Sequence, residues 1–349
     1  MSGGRRFLGW FLAASALLAV AVFALTWLVD PYGLLSARGP RISLCAPGIR
    51  VNDDRYLKPV IPRVHQPEEA LFGSSRAVWG FAEESFTRRT GRSIANLALS
   101  SGSLEEIDLL ARRAVADAPL RRAWIGLDFG AFALPGAEPP PLTGIWAIAD
   151  PGATALRYGL FDPHAMKAGL FALADPAACA DPPFSLLGFA RNAGPYGRAP
   201  SAGPSLPDVR TRTALVRRWR LEAMATSPAY ADRLARLDAL LGFLRSRGVA
   251  PILFITPSHP SYHAMVAEAG LGERYRSWRS EVQAIARRHD AILVMSDSPS
   301  FLGAVAASAC PARAEPGDCL FYDSTHFRPL VGDAIVAAAL AMRQSGFPS

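Results

Sequence analysis

Ala70-Leu71-Phe72-Gly73-Ser74-Ser75-Arg76 is the stretch on which the fold turns. Three apolar residues followed by a glycine and two small hydroxyl residues read as a short buried strand running into a tight turn. From Arg76 to about Thr90 the chain can continue as a helix, with Gly91 placed to close it. The unit is strand, tight turn, helix.

Outward from this unit the same order returns. Residues 93–99 read as a second strand, and Ser103-Leu104-Glu105-Glu106 matches a capping box that opens a helix with Ile107, Leu109, Leu110 and Ala114 on its apolar face. Residues 123–127 form the next apolar strand. Periodicity is then lost over residues 130–207, which carry PGAEPPP, PGA and ADPPF, so this stretch is expected to be an insertion. Alternation resumes with Leu234, Leu237, Leu240, Leu241 and Leu244 on one helical face, Gly248 as its terminator, and an apolar strand over residues 251–256. A helix over 273–289, a strand over 291–295 and a last helix over 333–344 complete the series. Strands alternating with helices predict an α/β domain with a parallel sheet and helices on both faces. No internal repeat is visible.

On the N-terminal side, residues 7–29 contain no charged side chain, and about 20 such residues suffice for a helix to cross a bilayer. Arg5 and Arg6 precede the run and Asp30 follows it, so the positive-inside rule leaves the N-terminus in the cytoplasm and places the remainder outside. Ala19-Val20-Ala21 offers the cleavage pattern of a signal peptide, but the apolar run continues well past it, which favours an uncleaved anchor. The division expected is a membrane anchor over 1–30, an extended linker rich in Pro, Gly and Arg over 31–66, and one domain over 67–349.

Half of the residues are hydrophobic and 19% are charged, a composition with enough apolar material for a packed core and incompatible with wholesale disorder. The formal charge of +7 comes from scattered arginines with one concentration at Arg210, Arg212, Arg217, Arg218 and Arg220. That cluster is read as a solvated helix face, with attraction to anionic polysaccharide or lipid head groups as the alternative. Nucleic acid is disfavoured as a partner by the compartment. Four cysteines in an oxidising space suit disulfides, and Cys310 and Cys319, which bracket PARAEPGD, are the expected pair. Pairing of Cys45 with Cys179 stays open. No Cys/His spacing suits zinc, and no Walker or dinucleotide glycine loop is present, so neither metal nor cofactor is expected.

Loops leaving the carboxyl ends of parallel strands share one edge, where reactive groups gather. Gly73-Ser74-Ser75, residues 100–103, Asp128 and residues 257–259 all fall in such loops, and Asp323-Ser324-Thr325-His326 precedes the final helix. A serine hydroxyl becomes a nucleophile when an imidazole removes its proton, and a carboxylate holds that imidazole in the right tautomer. Asp and His three residues apart in one tight turn can do this, with the second ring nitrogen left to face Ser75.

On these residues the chain, over about 67–349, resembles the SGNH (GDSL) hydrolase superfamily, whose nucleophile lies in a G-D-S turn after the first strand and whose Asp-x-x-His lies near the C-terminus. The resemblance implies a flavodoxin-like three-layer fold, Ser75, Asp323 and His326 as catalytic residues, and the amides of Ser75 and Gly102 as an oxyanion hole; Gly102 follows Asn96-Leu97-Ala98-Leu99-Ser100-Ser101, similar to the family's second block. Ser74 stands where the family has an acidic residue. The third block, G-x-N-D, aligns with Gly126-Leu127-Asp128-Phe129, so the oxyanion Asn is missing. An ionised Asp cannot donate a hydrogen bond, so Asp128 is expected to be protonated, to point elsewhere, or to leave the hole to the two amides. Arg76, Asp128 and His259 are the substrate-binding candidates; His65, His164 and His289 show no partner in the sequence and are read as structural or exposed. The anchor with G-S-S-R, N-L-A-L-S-x-G-S and D-x-T-H-F is similar to the branch associated with O-acetylation of exopolysaccharides such as alginate. It implies a polysaccharide or acylated glycan as substrate and a membrane acyl-donor or polysaccharide-export protein as partner. The alternative is a non-catalytic glycan-binding or scaffold module. The α/β-hydrolase elbow G-x-S-x-G is not met, because Ala77 stands where its second glycine would be.

Overall fold

The computed structural model describes residues 2–29, 54–133, 229–311 and 316–345, with scattered positions between 149 and 190. Helix α1 (Ser2–Val29) contains a span, Gly3–Leu25, with mean hydropathy 2.3 and none of its window buried against the protein. It is one helix long and apolar enough to cross a membrane.

Five strands, β1 (Glu69–Phe72), β2 (Ile94–Asn96), β3 (Arg122–Leu127), β4 (Ala250–Ile255) and β5 (Ile292–Val294), form one sheet in the order β2-β1-β3-β4-β5. Every pairing is parallel, with Phe72 opposite Ile125 and Leu127 opposite Ile255. This is the flavodoxin-like doubly wound order. Because β1 and β3 are buried along their whole length, their sequences after the paired Glu69 and Arg122 read as continuous apolar runs rather than as alternation. Ala70, Phe72, Ile125 and Leu253 face one apolar cluster; Leu71, Trp124, Ile252 and Phe254 face another on the opposite side of the sheet. The first cluster is closed by α6 (Leu104–Asp117), α8 (Ala229–Ser246), α9 (Pro260–Glu268) and α10 (Gly272–Arg288). Short α7 (Phe129–Ala133) follows β3. The second cluster is closed by α4 (Ser75–Trp79), α5 (Glu83–Thr90), α11 (Pro299–Ala309) and α13 (Pro329–Gln344). Full burial of a side chain such as Phe72 or Leu71 contributes about 1.5–3 kcal/mol, so both layers are needed to hold the sheet.

Three expectations are corrected. The single helix over 76–90 is broken into α4 and α5, since Phe81 turns inward and packs edge-on against Phe254 and Phe327, with ring centroids 5.4 and 5.6 Å away. Gly80 permits the break: a Cβ there would lie 2.0 Å from the Phe327 ring. Strand β2 ends at Asn96, yet Leu97 and Leu99 still donate to the carbonyls of Leu71 and Gly73, so the chain tracks β1 up to the site. Part of the expected extended linker is helical, as α2 (Asp54–Leu57) and α3 (Ile61–His65). Here Arg55 reaches Glu106 at 2.7 Å and the Ser100 carbonyl at 3.1 Å, Asp54 accepts from the Ser100 N–H, and the Lys58 ammonium donates to the Ala98 carbonyl. Burial pushes the Lys58 pKa down to about 8, with Asp54 opposing. Residues 54–58 thus clamp the loop after β2.

Helices α9, α11 and α12 (Pro316–Leu320) are additional to the elements expected. The capping box is present in full: Ser103 Oγ accepts from the Glu106 N–H at 3.2 Å, and Glu106 accepts from the Ser103 N–H at 3.1 Å. Cys310 and Cys319 are joined, with sulfurs 2.07 Å and Cα atoms 5.9 Å apart. Cys45, Cys179, His164, the basic cluster over 210–220 and nearly all of the insertion lie outside the described residues.

Candidate active site

Strand β1 delivers Gly73 to the carboxyl edge of the sheet, where the chain reverses into α4. Gly73 adopts φ 154°, and a Cβ there would sit 2.9 Å from that of Ala77, so the turn is open only to glycine. Ser74 is the N-cap of α4, its hydroxyl accepting from the Arg76 N–H at 3.3 Å. The residue between Gly73 and Ser75 therefore acts as a cap. Ser75 follows as the first residue of α4, where a backbone N–H has no carbonyl of its own helix to meet.

The partner loop comes from the far end of the chain. His326 Nε2 lies 3.0 Å from Ser75 Oγ, across 251 positions of sequence, and His326 Nδ1 lies 2.7 Å from Asp323 Oδ2. The other carboxyl oxygen of Asp323 accepts from the N–H groups of Thr325 and His326 at 2.7 and 2.8 Å and from the Thr325 hydroxyl at 3.0 Å. Burial works to raise the Asp323 pKa, but the His326 ring and these backbone donors outweigh it and hold the carboxyl well below its ordinary range. An ionised Asp323 thus locks the ring by both its side chain and its main chain. The antiparallel bridge between Phe321 and Phe327 closes the loop at its base.

The remaining candidates are held by contacts within the protein. The Gly102 N–H donates to the Leu99 carbonyl at 2.9 Å, in a tight turn for which Ser101 adopts φ 52°. It is spent on the backbone, which leaves only the Ser75 amide of the two donors expected. A non-glycine residue in the left-handed region costs about 1–2 kcal/mol, and such strain gathers near functional loops; Ser101 is exposed on the site edge and was not singled out by its sequence.

Asp128 points away from the site. Its Oδ1 lies 3.1 Å from Arg76 Nε and accepts from the Thr256 hydroxyl. Arg76 in turn donates to Thr256 Oγ1 at 3.2 Å and Ser258 Oγ at 2.7 Å and stacks over the Tyr262 ring at 4.6 Å. Burial opposes its charge, but Asp128 and Tyr262 more than compensate and raise its pKa. Both members of the pair are less than a tenth exposed, so they brace the ends of β3 and β4 beneath Ser75 rather than offering groups to a substrate. His259 caps α9 through its ring, accepting from the Ser261 N–H at 3.1 Å, and its own N–H donates to the Ser324 carbonyl at 3.3 Å. It supports the loop that carries Asp323 and His326. His289, for which no partner was evident, has Nε2 2.9 Å from Asp238 on α8.

Fold and site together define an α/β domain on a transmembrane-length helix, with a Ser–His–Asp hydrogen-bonded chain at the carboxyl edge of a parallel sheet. No protein-family model matches the sequence, and neither a curated protein nor a solved structure matches it. Among the described residues, no group of three or more His, Cys, Asp and Glu side chains is arranged to hold a metal ion.

Proposed function

We propose that this protein is a membrane-anchored serine acyl-transfer enzyme of the bacterial envelope, acting on the periplasmic side of the inner membrane in O-acetylation or deacetylation of a cell-surface or exported polysaccharide. The observation that carries the chemistry is the chain Ser75 Oγ, His326 Nε2, His326 Nδ1, Asp323 Oδ2, with separations of 3.0 and 2.7 Å. Ser75 Oγ attacks the carbonyl carbon of an ester while His326 Nε2 takes its proton. The tetrahedral adduct collapses as His326 returns that proton to the departing alcohol oxygen, leaving an acyl ester on Ser75. A sugar hydroxyl or water then gives its proton to His326 and attacks the acyl carbon, and His326 returns that proton to Ser75 Oγ as the acyl ester breaks and the new ester or acid leaves. The apolar helix, and the arginines that precede it, support the compartment. The polysaccharide is supported by the sequence resemblance described above.

A second reading, a non-catalytic glycan-binding or scaffold module, is favoured by the state of the oxyanion hole. With the Gly102 N–H bonded to Leu99 and Asp128 tied to Arg76, donors are few, and loss of one typically lowers the rate about 100 to 1000-fold.

The full chain, reconstituted in lipid nanodiscs, separates the two. Treatment with a fluorophosphonate probe should modify Ser75, and release of acetate from an aryl acetate should fall by about a thousandfold or more in Ser75→Ala and in His326→Ala. Equal labelling of wild type and Ser75→Ala, with no acyl adduct on Ser75, would leave the scaffold.

A further inference from the structure

A cavity of about 810 Å³ lies beside the Ser75 site, under α11 and α12, and contains none of Ser75, Asp323 or His326 in its lining. Most of its wall is apolar, from Pro260, Leu302, Ala306, Leu320 and Phe321, and the Cys310–Cys319 bridge lies at its rim. Its volume falls within the range of small-molecule sites.

One end is polar, and there the hydrogen bonding is incomplete. Asp297, only 4% exposed, receives the Tyr275 hydroxyl at 2.6 Å and lies 3.2 Å from Arg279 Nε, both through Oδ2. Its Oδ1, the Nε2 of His263 and the Nε of Arg279 are buried with no hydrogen-bond partner, and all three residues line the cavity. A buried polar atom left unpaired costs about 1–3 kcal/mol, which is uncommon unless a ligand or water completes it. Burial lowers the His263 pKa and so favours the neutral ring, and the charges of Asp297 and Arg279 already oppose each other.

A charged ligand would be desolvated here without a counter-ion of its own. A hydroxyl meets the requirement, since one oxygen can donate to Asp297 Oδ1 and also bond His263 Nε2, while the apolar wall takes the hydrocarbon. From this geometry we infer that the cavity is a binding site for an uncharged, largely apolar molecule that carries a hydroxyl group, such as an aliphatic or aryl alcohol. The cavity adjoins the loop of Asp323 through His259, whose ring stands edge-on to Phe321, 5.7 Å between centroids, and whose backbone N–H donates to the Ser324 carbonyl.

The test uses the full chain in lipid nanodiscs, a diazirine-bearing aliphatic alcohol as photolabel and 4-phenylbutan-1-ol as competitor. Adducts should map to residues 299–311 and 316–321 and be displaced by the competitor but not by 4-phenylbutanoate. Ala306→Trp, which fills the cavity, should reduce displaceable labelling about tenfold, and Asp297→Ala should weaken the competitor about fivefold, as expected for one lost hydrogen bond. Fluorophosphonate labelling of Ser75 is recorded on the same samples, so loss of the alcohol site and loss of Ser75 reactivity are read separately. Labelling of these segments that no alcohol displaces, or displacement by the carboxylate as effective as by the alcohol, overturns the inference from the wild type alone, whatever the variants do.

Discussion

The carboxyl edge of the sheet holds two polar clusters in opposite condition. Around Ser75, Asp323 uses both oxygens on His326 and the backbone that carries it, and Arg76 is satisfied by Asp128, Thr256 and Ser258. Around Asp297, an oxygen, a neighbouring imidazole nitrogen and the Nε of Arg279 are buried without hydrogen-bond partners. The first cluster is assembled by the chain itself and needs no ligand to hold its geometry, which is what preorganised proton transfer requires. The second is incomplete as folded, and a group from outside would finish it. The same low-dielectric surroundings that strengthen a completed network make an incomplete one costly.

Three measurements break or sharpen that contrast. The largest effect is expected from Arg76→Met, which strands Asp128 as a buried unpaired carboxyl group. Chemical denaturation of the full chain should show a loss of about 3–5 kcal/mol, most of it recovered in the Arg76→Met, Asp128→Leu double variant. If Asp297→Ala proves as damaging as Arg76→Met, the two clusters are equally integral to the fold and the contrast fails. Next comes the bridge. Its sequence separation is 9, so replacing Cys310 and Cys319 by serine should lower stability by about 2–3 kcal/mol on loop-entropy grounds. Hydrogen exchange should increase in α11 and α12, while α4, held by the sheet, remains protected. The smallest effect concerns two helix starts. Ser103 caps α6 in a reciprocal box with Glu106, whereas Ser298 caps α11 through a single bond from the Phe301 N–H at 3.3 Å. Ser103→Ala should cost about 1 kcal/mol or more and Ser298→Ala about 0.5 kcal/mol, read from denaturation midpoints.

Much of this architecture was legible because its signals are local. An uncharged apolar run of transmembrane length, a glycine that alone fits the turn before Ser75, a Ser-x-x-Glu box and two cysteines bracketing a short loop each act within a few residues. Helices α9, α11 and α12 escaped because their sequences carry little amphipathic period; α11, for instance, is mostly alanine and other small residues, and buries only Val305. The Pro that opens each of them, after His259 or Ser298 in two cases, was the available signal. The break between α4 and α5 had no such signal, for it depends on Phe327 and Gly332, more than two hundred positions away, closing against Gly80.

The site divides in the same way. Sequence alone determined which groups are available: a serine in a strand-to-helix turn, an Asp and a His at a spacing that lets one hold the other, an Asp where an oxyanion donor was sought. Only the tertiary structure decided what they do together. It set Ser75 Oγ within 3.0 Å of His326, turned Asp128 onto Arg76, and closed the Gly102 N–H onto Leu99. The reason is physical: spacing along a chain governs bonds within a turn or a helical face, whereas a contact between distant positions exists only after the sheet has brought its strand ends to one edge.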